Sequence, residues 1–378
     1  MSLSRVPVWA GAAAAVLLAF PVAGRAADRA TVSDVQRGLG GLVAANGGPP
    51  GAVATLYRNG RLTVLRAGRA DIGRQGAPGA RQHMRIASVA KAFSGAVALR
   101  LVRDGRLGLD DTIAQRLTGM PSAWAGVTVR QLLNHTSGLP DYTQSDAFVR
   151  QARTDPRGFV SPAGIIDWVR GDQLVFAPGS RYAYSNTDNI VIGLIAQAVT
   201  GRPYRDLLAD FVFRPGGLRE TSFPTRRISL PVPFLHGYAV VPGEKPRDVT
   251  TFLSPSGAWA SGAVVSTPAD LNAFIRAYLG LRFFGAPQQR EQMRFVPGQS
   301  SPPGPGRNAA GLALFRYRTR CGTVYGHTGN FPGYVQFAAA TADGRRAVTT
   351  TLNIAAPTGR LLARLRAVQT TAVCALLR

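Results

Sequence analysis

The chain has 378 residues, and all but two of its 44 basic residues are arginine against 20 acidic ones, for a formal charge of +24. An apolar content of 46% supplies ample material for a core and excludes a disordered chain. The arginines are scattered, with no run of five and no accompanying nucleic-acid motif, so the charge implies at most a weak attraction to an anionic cell envelope and no nucleic-acid partner.

In chain order, Arg5 precedes an apolar run from Val8 to Ala23, and Gly24-Arg25-Ala26 offers a small-x-small cleavage site. This predicts a signal peptide over residues 1–26, a periplasmic or secreted product, and no stable membrane span after cleavage. Export leaves Cys321 and Cys374 two alternatives, a single disulfide or two separate buried thiols. A helix is predicted from Val32 to about Ala45. Residues 51–57 and 62–66, around Arg58-Asn59-Gly60, read as a β-hairpin. The next helix opens at Ser88 and runs to about Asp104, where Gly105 stops it, with Val89, Phe93, Val97, Leu101 and Val102 at helical spacing.

The middle of the chain is helix and loop. Short helices are predicted over 129–134, ended by His135-Thr136-Ser137-Gly138, and over 161–169, 189–199, 203–213 and 268–279. Residues 297–306 are rich in Pro and Gly and read as a surface loop and the main boundary. Strands follow over 311–318, 323–327, 333–340 and 347–353, and a helix over 358–377 closes the chain. The expected fold is α+β: an antiparallel sheet lobe built from both chain ends (27–87 and 307–378), flanked by the terminal helices, with a mostly helical lobe of about 105–296 inserted.

Ser88 and Lys91 are three residues apart on one helix face. A serine at a helix start meets free N–H groups that favour developing negative charge. Lysine, unlike arginine, can lose its proton when buried, and Lys91 is one of two lysines in an arginine-biased chain. Tyr184 and Asn186, two apart in a predicted extended loop, would point the same way: a phenol able to pass protons if a nearby lysine lowered its pKa, and an amide able to hold a carbonyl. On a predicted strand, His327-Thr328-Gly329-Asn330 offers a hydroxyl for a carboxylate, a glycine allowing close backbone approach, and an N–H that could join that of Ser88 as an oxyanion donor. The similar His135-Thr136-Ser137-Gly138 lies in a loop and reads as structural. His83, His135, His236 and His327 have no metal-ligand spacing, so no metal site is expected.

Together, Ser88-x-x-Lys91, Tyr184-x-Asn186 and His327-Thr328-Gly329 resemble the motifs of the serine β-lactamase and D,D-peptidase superfamily, more specifically its class C β-lactamase-like, D-Ala-D-Ala carboxypeptidase-like branch. The connecting segments Leu132–Pro140 and Ser266–Leu271 are similar too. The resemblance covers about residue 30 to the C-terminus. It implies acylation of Ser88, proton transfer by Lys91 with Tyr184, substrate binding by Asn186, His327, Thr328 and Gly329, and an oxyanion hole from the N–H groups of Ser88 and Asn330. No cofactor is implied. The substrate would be a small peptide, ester or β-lactam, with a D,D-carboxypeptidase-like activity on cell-wall peptides preferred. The alternatives are an esterase or β-lactamase on the same scaffold, or a non-catalytic penicillin-binding module. Typical class C β-lactamases carry lysine where His327 stands. A mostly neutral histidine holds a carboxylate less firmly, which counts against efficient β-lactam hydrolysis.

Overall fold

A computed structural model describes residues 30–378; the predicted signal peptide lies outside them. The main sheet has eight strands: β1 (Gly51–Arg58), β2 (Arg61–Gly68), β3 (Val296–Pro297), β4 (Arg307–Gly311), β5 (Leu314–Thr319), β6 (Gly322–Phe331), β7 (Tyr334–Ala340) and β8 (Ala347–Leu352). Their order is β2-β1-β8-β7-β6-β5-β4-β3, with every adjacent pair antiparallel. Strands from the two ends of the chain therefore meet at β1 and β8, where Ala52 stands opposite Leu352.

Five helices position the rest: α1 (Val32–Val43), α2 (Ala90–Arg103), α3 (Asn186–Thr200), α4 (Pro268–Leu279) and α5 (Gly359–Leu377). Thr31 caps α1 in a reciprocal capping box with Asp34, and Thr267 caps α4 ahead of Pro268. One face of the sheet buries Leu56, Phe337 and Val348 against Val35 and Leu39 of α1 and Leu365 and Ala372 of α5. The helical body covers the other face, with Phe93, Val97, Ile190 and Phe274 in its core. β7 and β8 are buried along their whole length, as strands covered on both faces must be. A disulfide joins Cys321, at the β5–β6 turn, to Cys374 of α5. Among the described residues no helix is long and apolar enough to cross a membrane. The fold is the expected α+β arrangement.

Three local expectations are corrected. The predicted strand 311–318 is broken by a turn at Leu312–Ala313, whose backbone is anchored by Ala313 N–H donating to Leu133 O at 2.7 Å, so two strands stand there. The predicted strand 323–327 continues to Phe331, carrying the whole His327–Asn330 segment inside it. Helix α3 begins at Asn186, not at 189, so Tyr184 precedes a helix and Asn186 opens it instead of both lying in an extended loop.

Candidate active site

The sequence before Ser88 sets its position. Met84–Arg85 pairs with Val265–Ser266 as a short antiparallel ladder, and the chain then turns sharply into a single 3₁₀ turn, Ala87–Val89, that runs into α2. Ala87 makes that turn with φ +51°, a left-handed conformation that costs a non-glycine residue about 1–3 kcal/mol. Strand β6 lies against the turn. A Cβ on Gly329 would come within 2.6 Å of Ile86 O and 3.0 Å of Ser88 N, so only glycine lets the strand approach the serine this closely. The close approach expected of Gly329 is thus made by the protein's own backbone.

Lys91, one turn on, is wholly buried. Its Nζ donates to Ser88 Oγ at 3.1 Å, Asn186 Oδ1 at 2.7 Å and Ser261 O at 2.9 Å. Burial lowers its pKa to about 7, although Asp141 and Asp188 pull the other way. Both the ammonium and the free base are then populated at neutral pH, within hydrogen-bond distance of the serine hydroxyl. The only other lysine, Lys245, is exposed in a loop.

Tyr184 packs its ring over Nζ of Lys91, 5.1 Å from the ring centroid. Its buried hydroxyl lies beside Ser88 but forms no hydrogen bond of good geometry with any described group. Burial holds this phenol well above its usual pKa, the loss of hydration outweighing the opposing effect of the Ser88 hydroxyl. The expected lowering of its pKa by lysine does not occur, and Tyr184 is a neutral donor in this arrangement. Asn186 lines the cavity, with its amide oxygen on Lys91 and its Nδ2 donating to Asp141 Oδ2 at 3.0 Å.

His327 and Thr328 do not line the cavity. Both are buried: His327 Nδ1 donates to the Thr328 carbonyl, and Thr328 Oγ1 donates to Pro302 O at 2.6 Å. The 297–306 loop folds over Thr328 instead of standing out as a surface boundary and buries Ser300 as well, whereas the His327 ring packs beside Phe315 and Tyr184. Burial takes the His327 pKa down to about 3, so the ring is neutral, and its Nε2 has no partner among the described residues. Asn330, further along β6, is exposed and borders the cavity with Ser88.

Asp141, Ser261 and Asp188 carry no signal in the sequence, and His135 has more than a loop role. Asp141 holds Asn186, and Ser261 holds Lys91 through its carbonyl. His135, read as structural, is buried and meets Asp188 through Nδ1 at 2.7 Å, while Ser137 Oγ donates to the same carboxylate at 2.5 Å. Burial raises Asp188 and lowers His135, so the pair is neutral overall and shares one proton. The His135 ring centroid lies 4.5 Å from that of Tyr184. The legible signal was the Leu132–Pro140 segment; nothing in it pointed to Asp188.

The cavity beside Ser88 has a volume of about 350 Å³ and aromatic walls including Tyr142, Phe148, Trp168 and Phe331. Asp141 is the one charged side chain among its described lining residues. No group of side chains suited to hold a metal ion occurs among the described residues.

The chain is similar to known proteins in both structure and sequence. The structure is similar to D-amino acid amidase from Ochrobactrum anthropi SV3 complexed with L-phenylalanine amide (TM-score 0.80, 26% identity, 90% of this chain and 97% of that one). It is also similar to a D-stereospecific amidohydrolase from Streptomyces sp. (TM-score 0.74, 30% identity, 85% and 94%). In sequence it is 28% identical over 267 residues to Penicillin-binding protein 4* of Bacillus subtilis, covering 66% of this chain and 56% of that protein. The match to Protein flp of Staphylococcus aureus is 31% identical over 180 residues, 46% of this chain and 35% of that protein. The chain thus spans little more than half of the first of these relatives and about a third of the second. The Beta-lactamase family model matches residues 31–372, nearly the whole described chain, and the protein belongs to that family, within the superfamily of serine acyl-enzyme hydrolases.

Proposed function

We propose that the chain is an exported serine hydrolase that opens small amides or peptides through an acyl-enzyme on Ser88. The observation that carries this is the wholly buried Lys91, hydrogen-bonded to Ser88 Oγ at 3.1 Å with its pKa brought to about 7. Free Lys91 takes the hydroxyl proton as Oγ attacks the carbonyl carbon. The Ser88 and Asn330 N–H groups receive the oxyanion, and the neutral Tyr184 phenol hands a proton to the departing amine, recovering it from Lys91. Water then releases the acyl group by the reverse path. The Cys321–Cys374 disulfide supports export, since such bonds persist in oxidising compartments.

The charge of the cavity chooses between substrates. A D,D-carboxypeptidase-like reaction presents a C-terminal carboxylate, and so does a β-lactam. Among the described residues no arginine or lysine lines the cavity, His327 is neutral and buried, and Thr328 is bound to Pro302. Asp141 offers a carboxylate whose Oδ2 accepts only from Asn186 among the described groups, which suits a substrate ammonium. This favours D-amino-acid amides, the class in the name of the Ochrobactrum neighbour, over carboxylate-terminated peptides. An esterase on the same scaffold remains compatible with the site, whereas a purely binding module leaves the proton-transfer geometry of Lys91 without a use.

The test assays D-phenylalanine amide, its N-acetyl derivative, a D-Ala-D-Ala peptide and a p-nitrophenyl ester, with fluorescent penicillin as an acylation probe. The amide should be turned over best and N-acetylation should lower kcat/KM. Preferred cleavage of the D-Ala-D-Ala peptide would restore the carboxypeptidase reading. Turnover or labelling that survives Ser88→Ala would sink the mechanism.

A further inference from the structure

At the far edge of the sheet, a second concavity of about 850 Å³ shares no described lining residue with the Ser88 cavity. Its wall includes Arg307 of β4, Arg316 and Arg318 of β5, and Arg366 of α5, with no acidic residue among the described lining residues. The register of the sheet makes this arrangement costly. Arg307 stands directly opposite Arg318, and Arg316, two residues along the same strand, shares a face with Arg318. Like charges directly opposite each other destabilise an antiparallel pair. Elsewhere arginines meet carboxylates, as Arg100, Arg116 and Arg130 do, but none of these four does so among the described residues.

Two of the four guanidinium groups are held in place. Arg316 lies over the Phe295 ring at 4.6 Å, and Arg366 donates to Gly304 O at 3.0 Å and Gly306 O at 2.8 Å. An arginine-biased composition explains scattered cations. It does not explain four that converge on one concave surface, two of them in register, without a counter-charge.

We propose that this groove binds phosphate groups, taking two or more at once from a polyanionic ligand. The planar guanidinium fork matches paired phosphate oxygens, and a bound anion relieves the repulsion between Arg307 and Arg318. The site is independent of the chemistry at Ser88.

Calorimetric titration of the purified chain with inorganic tripolyphosphate at about 0.15 M salt tests this. Wild type should bind at one site, and Arg307→Gln with Arg318→Gln should weaken binding at least about tenfold. Arg61→Gln with Arg66→Gln removes the same charge at the opposite sheet edge and should leave binding unchanged. No binding to wild type, or equal weakening in the control pair, overturns the proposal. The single Arg318→Gln variant serves if the double one fails to fold: without ligand it should melt at or above the wild-type temperature, and a lower melting point refutes the repulsive pair. Phosphatidylglycerol vesicles, against phosphatidylcholine, separate the sources. Capture lost in the Arg307→Gln, Arg318→Gln variant identifies a lipid headgroup, and tripolyphosphate binding without capture identifies a soluble phosphate.

Discussion

His135 and His327 approach the same tyrosine ring from two parts of the chain, at centroid distances of 4.5 Å and 6.4 Å. Both are buried, and both are held neutral or nearly so. Their supports differ. His135 shares a proton with the buried Asp188, at the first turn of the helix that Asn186 opens. His327 gives its proton to the backbone carbonyl of the next residue and leaves Nε2 without a partner among the described residues. The first is a satisfied polar pair that fixes the Tyr184 loop; the second keeps an unused acceptor beside the proposed proton path. Similar His-Thr segments are therefore distinguished by what lies across from them, which neither segment contains.

Both histidines flank the chemistry proposed at Ser88 and Lys91, so the largest effects belong to those two residues. Ser88→Ala and Lys91→Arg should each lower kcat/KM by about 10³-fold or more, measured with the preferred amide, since residues that act as a unit fail together. Near wild-type activity in the Lys91→Arg variant would remove Lys91 as the base. Next in size is the His135 support. His135→Ala leaves one oxygen of the buried Asp188 carboxyl without its hydrogen-bond partner, Ser137 holding the other, and should cost about 1–3 kcal/mol of stability, read by denaturant unfolding. His327→Gln should cost clearly less, because it deprives no buried side chain of a hydrogen-bond partner; equal losses would erase the distinction between the two histidines.

The pH dependence sharpens the same contrast. Lys91 must be unprotonated to act, so kcat/KM should rise as pH increases through about 7, and a profile flat from pH 6 to 8 would contradict that role. His327 has a folded pKa of about 3, below its unfolded value of about 6.5. The unfolded chain binds its proton first, so the stability this group contributes is complete above pH 6.5 and is lost as pH falls towards 3. His327→Gln should flatten that acid limb, as followed by thermal melts from about pH 7 to 4. The smallest effect concerns the strained turn. Ala87→Gly relieves φ +51° but loosens the unfolded chain, so the melting temperature should move little, whereas Gly329→Ala, which drives a Cβ against Ile86 O, should lower both stability and activity.

Much of the fold was legible because local patterns were consistent with it. The Asn59-Gly60 hairpin, the helix carrying Lys91, and the strands before the last helix follow from turn residues and hydrophobic period. The break at Leu312–Ala313 was not legible, since it is anchored by Leu133, far away in the chain. In the site, the rarity of lysine marked Lys91, and its spacing from Ser88 placed both on one helix turn. The burial of Thr328 and His327 is not legible, because the first is covered by Pro302, 26 residues earlier in sequence, and the second packs beside Phe315 and Tyr184.

By itself the sequence determined which atoms are available: one serine and one scarce amine a helical turn apart, a tyrosine and an asparagine two residues apart beside an apolar helix, and a glycine in a strand. Those facts depend on residue identity and short-range periodicity, which are local. Tertiary structure decided the protonation states and the faces. Burial brought the pKa of the amine to about 7 and kept the phenol protonated, the 297–306 loop withdrew Thr328 from the cavity, and strand register set Arg307 against Arg318. Desolvation and register depend on segments distant in sequence, so no local pattern encodes them.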